Sequence, residues 1–317
     1  MEQNITPDLI TFTTPFFPPD KAIAAARELG LEVTQIDIYG ELLSLIKNPV
    51  HGLGKNMNPC IDCHALMFRK AGEILAESGE DGFLFSGEVV GQRPMSQNSH
   101  SLRVVARDSG QSGRILRPLS AKLMPETEAE EKGLVDRERL LNLSGRGRRP
   151  QIALAEKYGL SIPPPAGGCL LTDPMYSRRL KWLLQQRETS DTSWPPARLA
   201  EMIKRGRIFS AEPGQWLVVG RNQADNQALD ALMEKGDTFF HLEGGPGPTV
   251  LLPDLNIAAT EATFSLGRSL AAAYGDNGGA DVVMVRMGKV GDGHILVETE
   301  VTKPARWGDF MEPKECD

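Results

Sequence analysis

The chain lacks most of the features that would fix its class at a glance. It has 4 cysteines in 317 residues. That is too few and too scattered for a disulfide framework, which excludes a stapled secreted scaffold. Aromatic residues make up only 6%. No run approaches the roughly 18 apolar residues of a membrane-spanning helix. The opening Met1-Glu2-Gln3-Asn4 is neither basic nor followed by an apolar stretch, so no signal peptide is expected. A cytoplasmic protein with no membrane partner is the expectation. Positive charge is not in excess either: 35 Lys and Arg stand against 42 Asp and Glu, a net charge of −7. Such a chain does not attract nucleic acid through its overall field, so any phosphate contact must come from a local basic patch. DNA is not an expected partner.

What is present is an ordinary globular composition, 40% hydrophobic and 24% charged, long enough for about two domains. Leu9 to Thr13 is β-rich, and Asp20 to Leu29 reads as an Ala-rich helix ended by Gly30. Leu31 to Tyr39 alternates like a strand. Cys60 to Ser78 has helical spacing, with Leu66, Met67, Ile74 and Leu75 on one apolar face. Gly82 to Ser86 reads as a short buried strand running into a polar loop. This βαβα order predicts an α/β fold, a doubly wound and mostly parallel sheet with helices on both faces. The polar stretch Arg187 to Ser193, closed by Pro195-Pro196, reads as a linker. It separates residues 1–188 from a smaller α+β domain over 189–317. There, helices are expected at Leu199 to Arg205, after Asn222 and at Ile257 to Ala273. Strands are expected at Trp216 to Gly220, Thr238 to Leu242, Thr249 to Leu252, Val282 to Met287 and His294 to Val301.

The strongest chemical signal is Asn58-Pro59-Cys60-Ile61-Asp62-Cys63-His64, with Cys169 downstream after Pro165-Ala166-Gly167-Gly168. A C-x-x-C pair at a helix start aims both sulfurs the same way, and free helix N–H groups favour thiolate. Three thiolates are one short of a closed structural zinc site. His64 is a candidate fourth donor, but one residue past Cys63 on a helix it points about 100° away. An iron–sulfur cubane held by three cysteines leaves one iron open. A zinc site, a buried core cysteine at 169 and a redox pair at 60/63 are the alternatives. Cys316 reads as an incidental tail thiol.

On these residues the sequence resembles the PP-loop tRNA thiouridylases over about residues 8–186. The Asn58 to His64 segment is similar to that family's N-P-C-x-x-C, and Gly167 to Thr172 to its Gly-Gly-Cys-Leu-Leu-Thr. Ser86-Gly87-Glu88-Val89-Val90-Gly91-Gln92-Arg93-Pro94-Met95-Ser96-Gln97 resembles its second nucleotide-binding segment, at the carboxyl end of a strand where open α/β sheets bind ligands. The resemblance implies an adenine nucleotide alpha hydrolase-like fold. It implies a 4Fe–4S cluster on Cys60, Cys63 and Cys169, with Cys60 and Cys169 in the catalytic sulfur chemistry. Ser86, Gly87, Glu88, Gly91, Gln92 and Arg93 are then nucleotide-binding residues, and ATP with Mg is the cofactor if the missing loop described next is supplied. The implied reaction adenylates a uridine oxygen of tRNA and displaces AMP with sulfur, so tRNA and a sulfur donor are the expected partners. A homodimer is left open.

The same family carries Ser-Gly-Gly-x-Asp-Ser after its first strand, where backbone amides cradle pyrophosphate. That motif does not occur here. The Gly pairs at 167–168, 244–245 and 278–279 have other neighbours. Thr11 to Phe16 resembles the family's second strand, so the first strand and loop are expected to be missing. A late annotated start, a truncated chain and a degenerate member are the three explanations. A non-catalytic, cluster-bearing tRNA partner of a separate ATPase is therefore the alternative function, and a zinc-binding structural protein a further one.

Arginines crowd Ser144-Gly145-Arg146-Gly147-Arg148-Arg149-Pro150, and Arg178 and Arg179 follow the third cysteine. Arg146, Arg148, Arg149, Arg178 and Arg179 are the candidate tRNA contacts; a solvated helix face is the plain alternative. Gly220-Arg221-Asn222, His241 and Pro246-Gly247 over residues 210–310 resemble the RNA-binding domain of the ribosome quality-control, fibronectin-binding-like family. His241 reads as a packing or RNA-contact residue. Gly288 to Gly293 reads as a hairpin turn because strands flank it.

Overall fold

The computed structural model describes residues 3–79, 81–162, 168–186 and 194–302. Contacts divide the chain into two compact units, Met1–Thr172 and Asp173–Asp317. The division falls ahead of the linker that the composition suggested. Residues 187–193 lie outside the described residues, and Trp194, placed in that linker by its prolines, is 4% exposed. Its ring centroid sits 4.9 Å from that of Trp216.

The first unit runs β1 (Leu9–Thr13), α1 (Asp20–Glu28), β2 (Val33–Asp37), α2 (Tyr39–Lys47), α3 (Cys60–Ser78), β3 (Leu84–Phe85), α4 (Ser99–Asp108), β4 (Ile115–Leu116), α5 (Glu128–Glu131) and α6 (Arg149–Lys157). Helix α3 stops where Gly79 takes φ +69°, a conformation that costs glycine little. Helix α4 starts where the Asn98 side chain accepts from Ser101 N at 2.9 Å, the usual cap for an orphan N–H. Phe16, Ile38, Leu42, Leu43, Leu102 and Val105 are fully buried.

β1 pairs in parallel with β2, from Leu9↔Val33 to Thr13↔Asp37. β3 pairs in parallel with β4, Leu84↔Ile115 and Phe85↔Leu116. The parallel βαβ connections expected from the element order are therefore present. The ladders are nevertheless two separate pairs among the described residues, not one doubly wound sheet. β3 is short because its chain leaves strand geometry at Ser86, where the hydroxyl turns to accept from Glu88 N at 3.4 Å.

The second unit runs α7 (Pro174–Gln186), α8 (Ala197–Met202), β5 (Arg207–Glu212), β6 (Gln215–Val219), α9 (Gln223–Ala231), β7 (Thr238–Leu242), β8 (Val250–Leu252), α10 (Glu261–Tyr274), β9 (Val282–Lys289) and β10 (His294–Glu300). Six strands form one antiparallel sheet in the order β10-β9-β7-β8-β6-β5, so this unit is α+β as expected. Phe209, Leu217, Val219, Phe240, Val250, Leu252 and Val285 on one face form a core with Leu266, Leu270, Ala271 and Ala272 of α10. Gly267 makes that close approach possible, since a Cβ there would lie 2.5 Å from the Phe240 ring. On the other face Ile208, Val218 and Leu251 are also fully buried. Residues 290–293 form the expected hairpin turn between β9 and β10.

Candidate cysteine and nucleotide site

Pro59 breaks the chain ahead of α3 and places Cys60 and Cys63 on its first turn. Cys63 N donates to Pro59 O at 2.8 Å, and Asn58 Nδ2 lies 3.2 Å from Cys60 Sγ. Cys169 arrives on a separate strap. Leu170 N donates to Phe16 O at 2.9 Å beside β1, Leu171 is 1% exposed, and Thr172 Oγ1 donates to Cys169 O at 2.7 Å. The strap is latched to the loop before α3 by Asn56 Nδ2, which donates to Thr172 O at 2.8 Å.

These anchors bring the three thiols into one electrostatic neighbourhood. Burial pushes the Cys63 thiol well above its ordinary pKa, with the Cys169, Cys60 and Asp62 charges adding to it. Burial likewise pushes Cys169 up to about 11; Cys60 adds to the shift, while the Leu171 and Thr172 amides and Arg93 oppose it. The helix N-terminus was expected to favour thiolate at Cys63. At Cys63 burial, with the neighbouring thiol and carboxylate charges, works against that preference. Cys60 and Cys169 are partly exposed and all three are free thiols. Among the described residues no three His, Cys, Asp or Glu side chains already stand as a metal-holding set. Gly167 and Cys316 lie outside the described residues.

The Ser86 to Gln97 segment wraps around a buried carboxylate. Glu88 is 7% exposed. Its Oε1 lies 2.8 Å from His64 Nδ1, and its Oε2 accepts from Arg117 Nε at 2.9 Å and Ser86 Oγ at 3.1 Å. Burial alone would raise the Glu88 pKa; His64 and Arg117 more than offset it and hold the carboxyl below its ordinary value. Glu88 was expected to touch nucleotide. Both of its oxygens are instead occupied within the protein, so it fixes the loop from beneath. His64, weighed as a ligand, is turned onto Glu88. Gly91 is a required glycine: it has φ +79°, and a Cβ would meet Gly145 N at 3.3 Å. Gly87 has neither constraint. Arg93 is exposed.

The same turn carries the basic loop. Gly145 N donates to Val90 O at 2.8 Å, and Val90 forms a parallel bridge with Ser144. Arg146 and Arg149 are exposed just beyond, with Arg148 half-buried. Arg179, read as an RNA contact, is not available for one. It is 5% exposed and donates to Ile203 O at 2.9 Å and Gly206 O at 2.8 Å, tying α7 into the second unit. Arg178 is half-buried beside it, its Nε without a hydrogen-bond partner. Neither Arg117 nor Asn56 was singled out in the sequence.

In the second unit, Asn226 joins the Gly220-Arg221-Asn222 and Pro246-Gly247 segments. Its Oδ1 accepts from Thr249 N at 3.0 Å and its Nδ2 donates to Gly247 O at 3.2 Å. Asp225, 3% exposed, accepts from Arg221 Nε at 2.8 Å and from Gly206 N at 3.2 Å. Residues 206–309 match the family described as NFACT protein RNA binding domain. The NFACT match takes in every strand of the six-stranded sheet and agrees with the resemblance read from residues 210–310. A comparison with curated proteins finds no match. Among solved structures, the C-terminal part of the fibronectin/fibrinogen-binding protein from Streptococcus suis is similar at 18% identity and TM-score 0.30, over 43% of this chain and 66% of that one. The chain thus spans just under two thirds of that relative.

Proposed function

We propose that this protein acts on tRNA sulfur chemistry, with an NFACT-type RNA-binding unit joined to a thiouridylase-type unit that gathers Cys60, Cys63 and Cys169. What supports the reading is that Cys60 and Cys169 act electrostatically on Cys63, and Arg93 on Cys169, at the end of a loop resembling a nucleotide-binding segment. The strand pairing supports it. Parallel pairs of neighbouring strands joined through helices are the units from which doubly wound α/β sheets are built. This is the pairing of β1 with β2 and β3 with β4.

The donor set suits a thiophilic centre. Three clustered thiols, two with raised pKa values, ionise together only beside a cation. Cys60, Cys63 and Cys169 would hold it, and a 4Fe–4S cluster bound by three thiolates would supply an open iron for a sulfur nucleophile. The chain's own residues do the positioning. Asn56 holds the Cys169 strap, the Glu88–Arg117 pair holds the Ser86 to Gln97 loop, and Arg93 offers a cation to a phosphate at the sulfur. Arg146 and Arg149 extend that charge towards an RNA backbone. A second reading is a cluster-bearing tRNA-binding partner of a separate ATPase.

Anaerobic purification followed by iron and acid-labile sulfide assay tests the centre. Cys60→Ala, Cys63→Ala and Cys169→Ala are each expected to lose it, and Cys316→Ala to keep it; full iron in the Cys169 variant refutes the assignment. Arg146→Ala with Arg148→Ala is expected to weaken binding of a tRNA transcript and flatten its salt dependence. Unchanged affinity at low salt removes the patch.

A further inference from the structure

The sheet of the second unit is covered on both faces at its β5, β6 and β8 end, but not at its β10 end. α10 packs on the face that carries Phe240 and Val285. On the opposite face, cross-strand register aligns Phe239 with Gly288 and His294, and His241 with Arg286 and Leu296. Phe239 and His241 are half-buried neighbours two residues apart on β7, with ring centroids 5.4 Å apart. Leu296 is 49% exposed and Met284 39%. The Arg286 side chain is 40% exposed, and its nearest carboxylate oxygen, on Glu243, is 3.8 Å away, beyond hydrogen-bond reach. Gly288, between Phe239 and His294, is buried, and a Cβ there would lie 2.8 Å from Gly293 O and from His294 Cβ, so glycine is what lets the two strands approach this closely.

We propose that this open face of β7, β9 and β10 is a stacking platform for unpaired bases of a single-stranded RNA segment. The inference rests on the RNA-binding reading of residues 206–309 and assigns it a surface. Two adjacent flat rings suit successive bases, whose faces all stack on aromatics. Arg286 and His294 beside them suit the phosphate or the base edge. Burial, with Arg286 adding to it and Asp230 opposing it, holds His241 below its ordinary pKa, so its ring is uncharged at neutral pH and stacks without a strongly held water shell. Further along the same face the charges reverse. Glu298 pairs across from Met284 and Glu300 from Val282, with Glu243 following β7. A polyanion is thus admitted over the Phe239 and His241 end and repelled from the other, which gives the bound strand a defined exit. This arrangement reconciles RNA binding with the chain's net charge of −7: stacking carries the contact, and phosphate neutralisation is local.

The test uses the full chain and fluorescence anisotropy with a labelled ten-nucleotide oligouridylate and an RNA duplex of equal length. The wild type is expected to prefer the single strand. Phe239→Leu, which keeps apolar bulk but removes the ring, and His241→Ala are each expected to weaken oligouridylate binding at least about fivefold. Phe239→Trp should retain affinity and add an indole fluorescence signal quenched by the oligonucleotide. Arg286→Gln should lower the salt slope by about 0.7. If the wild type binds and both ring variants bind equally well, the platform is wrong while the RNA-binding reading stands. If the wild type binds neither RNA, both fall. Preference for duplex, or failure of Phe239→Trp to restore what Phe239→Leu loses, also overturns the proposal. So does a dimer of the chain that Leu296→Lys dissociates with no change in RNA affinity, because the face would then join two copies.

Discussion

Replacing Arg117 by Met tests whether the nucleotide-type loop is held by a buried charge network. Arg117 is 3% exposed and donates through Nε to Glu88 Oε2 at 2.9 Å; its guanidinium also sits 5.8 Å from the Phe68 ring centroid. Met keeps much of the apolar stem and leaves the Glu88 carboxylate buried with His64 and Ser86 alone. Removing one partner of such a pair costs about 3–5 kcal/mol, a large share of the roughly 5–15 kcal/mol that holds a domain together. Among the described residues the tryptophans, Trp182, Trp194 and Trp216, all lie in the second unit, so a probe of the first unit itself is needed to see the loss. Amide hydrogen exchange resolves it: protection across residues 84–97 and 115–120 should fall about a hundredfold or more at 3 kcal/mol, each 1.4 kcal/mol being tenfold. Adding Glu88→Gln should restore much of the loss, since no uncompensated charge then remains. The pH dependence has a definite sign. The folded Glu88 pKa lies below its ordinary 4.5, so the network's contribution is complete above about pH 4.5 and disappears as pH falls through the folded value. In Glu88→Gln that acid-side loss should be absent. A loss under about 1 kcal/mol for Arg117→Met, or a double variant no better than the single, refutes the network.

Two further outcomes follow from single positions. Gly206→Ala places a Cβ 2.0 Å from Val219 O at φ +62°, so the second unit should lose well over about 1 kcal/mol, read as an earlier thermal transition of Trp216 fluorescence; an unshifted transition contradicts the geometry. Asn56→Ala removes the latch on the Cys169 strap, a hydrogen bond worth about 0.5–1.5 kcal/mol. Alkylation of Cys169 in metal-free protein should speed up severalfold while the circular dichroism spectrum is unchanged, and an unaltered rate rules out the latch.

Local patterns were legible in the sequence. β1 and β7 have the expected bounds, and α3 spans Cys60–Ser78 as its apolar spacing predicts. These elements declare themselves because their periodicity is complete within a few turns or one strand. β5 was missed because Arg207-Ile208-Phe209-Ser210-Ala211-Glu212 alternates poorly; its inner residues are fully buried on both faces, Ile208 on one and Phe209 on the other. α7 was read as a basic, RNA-facing stretch because Arg178 and Arg179 look alike in sequence. Burial separates Arg179 from solvent, and only the tertiary contacts with Ile203 and Gly206 reveal that.

The site divides along the same line. Cys60 and Cys63 were legible because their spacing is itself the signal: one helical turn aims two sulfurs alike. Cys169 needed a resemblance, because 106 residues separate it from Cys63 and no local pattern spans that distance. Glu88 was read as a ligand contact for the same reason that Arg117 was overlooked. A lone carboxylate in a loop looks available, and a lone arginine after a two-residue strand looks solvated, until the fold brings Nε to Oε2 across a separation of 29 positions. Burying either charge alone would be prohibitive, whereas burying both is tolerable. The pair therefore carries no sequence signature although it fixes the loop. Where a polar residue in a presumed ligand loop is also buried, its partner in the fold must be found before a role towards ligand is assigned to it; Arg93, exposed and close enough to influence Cys169, passes that test where Glu88 does not.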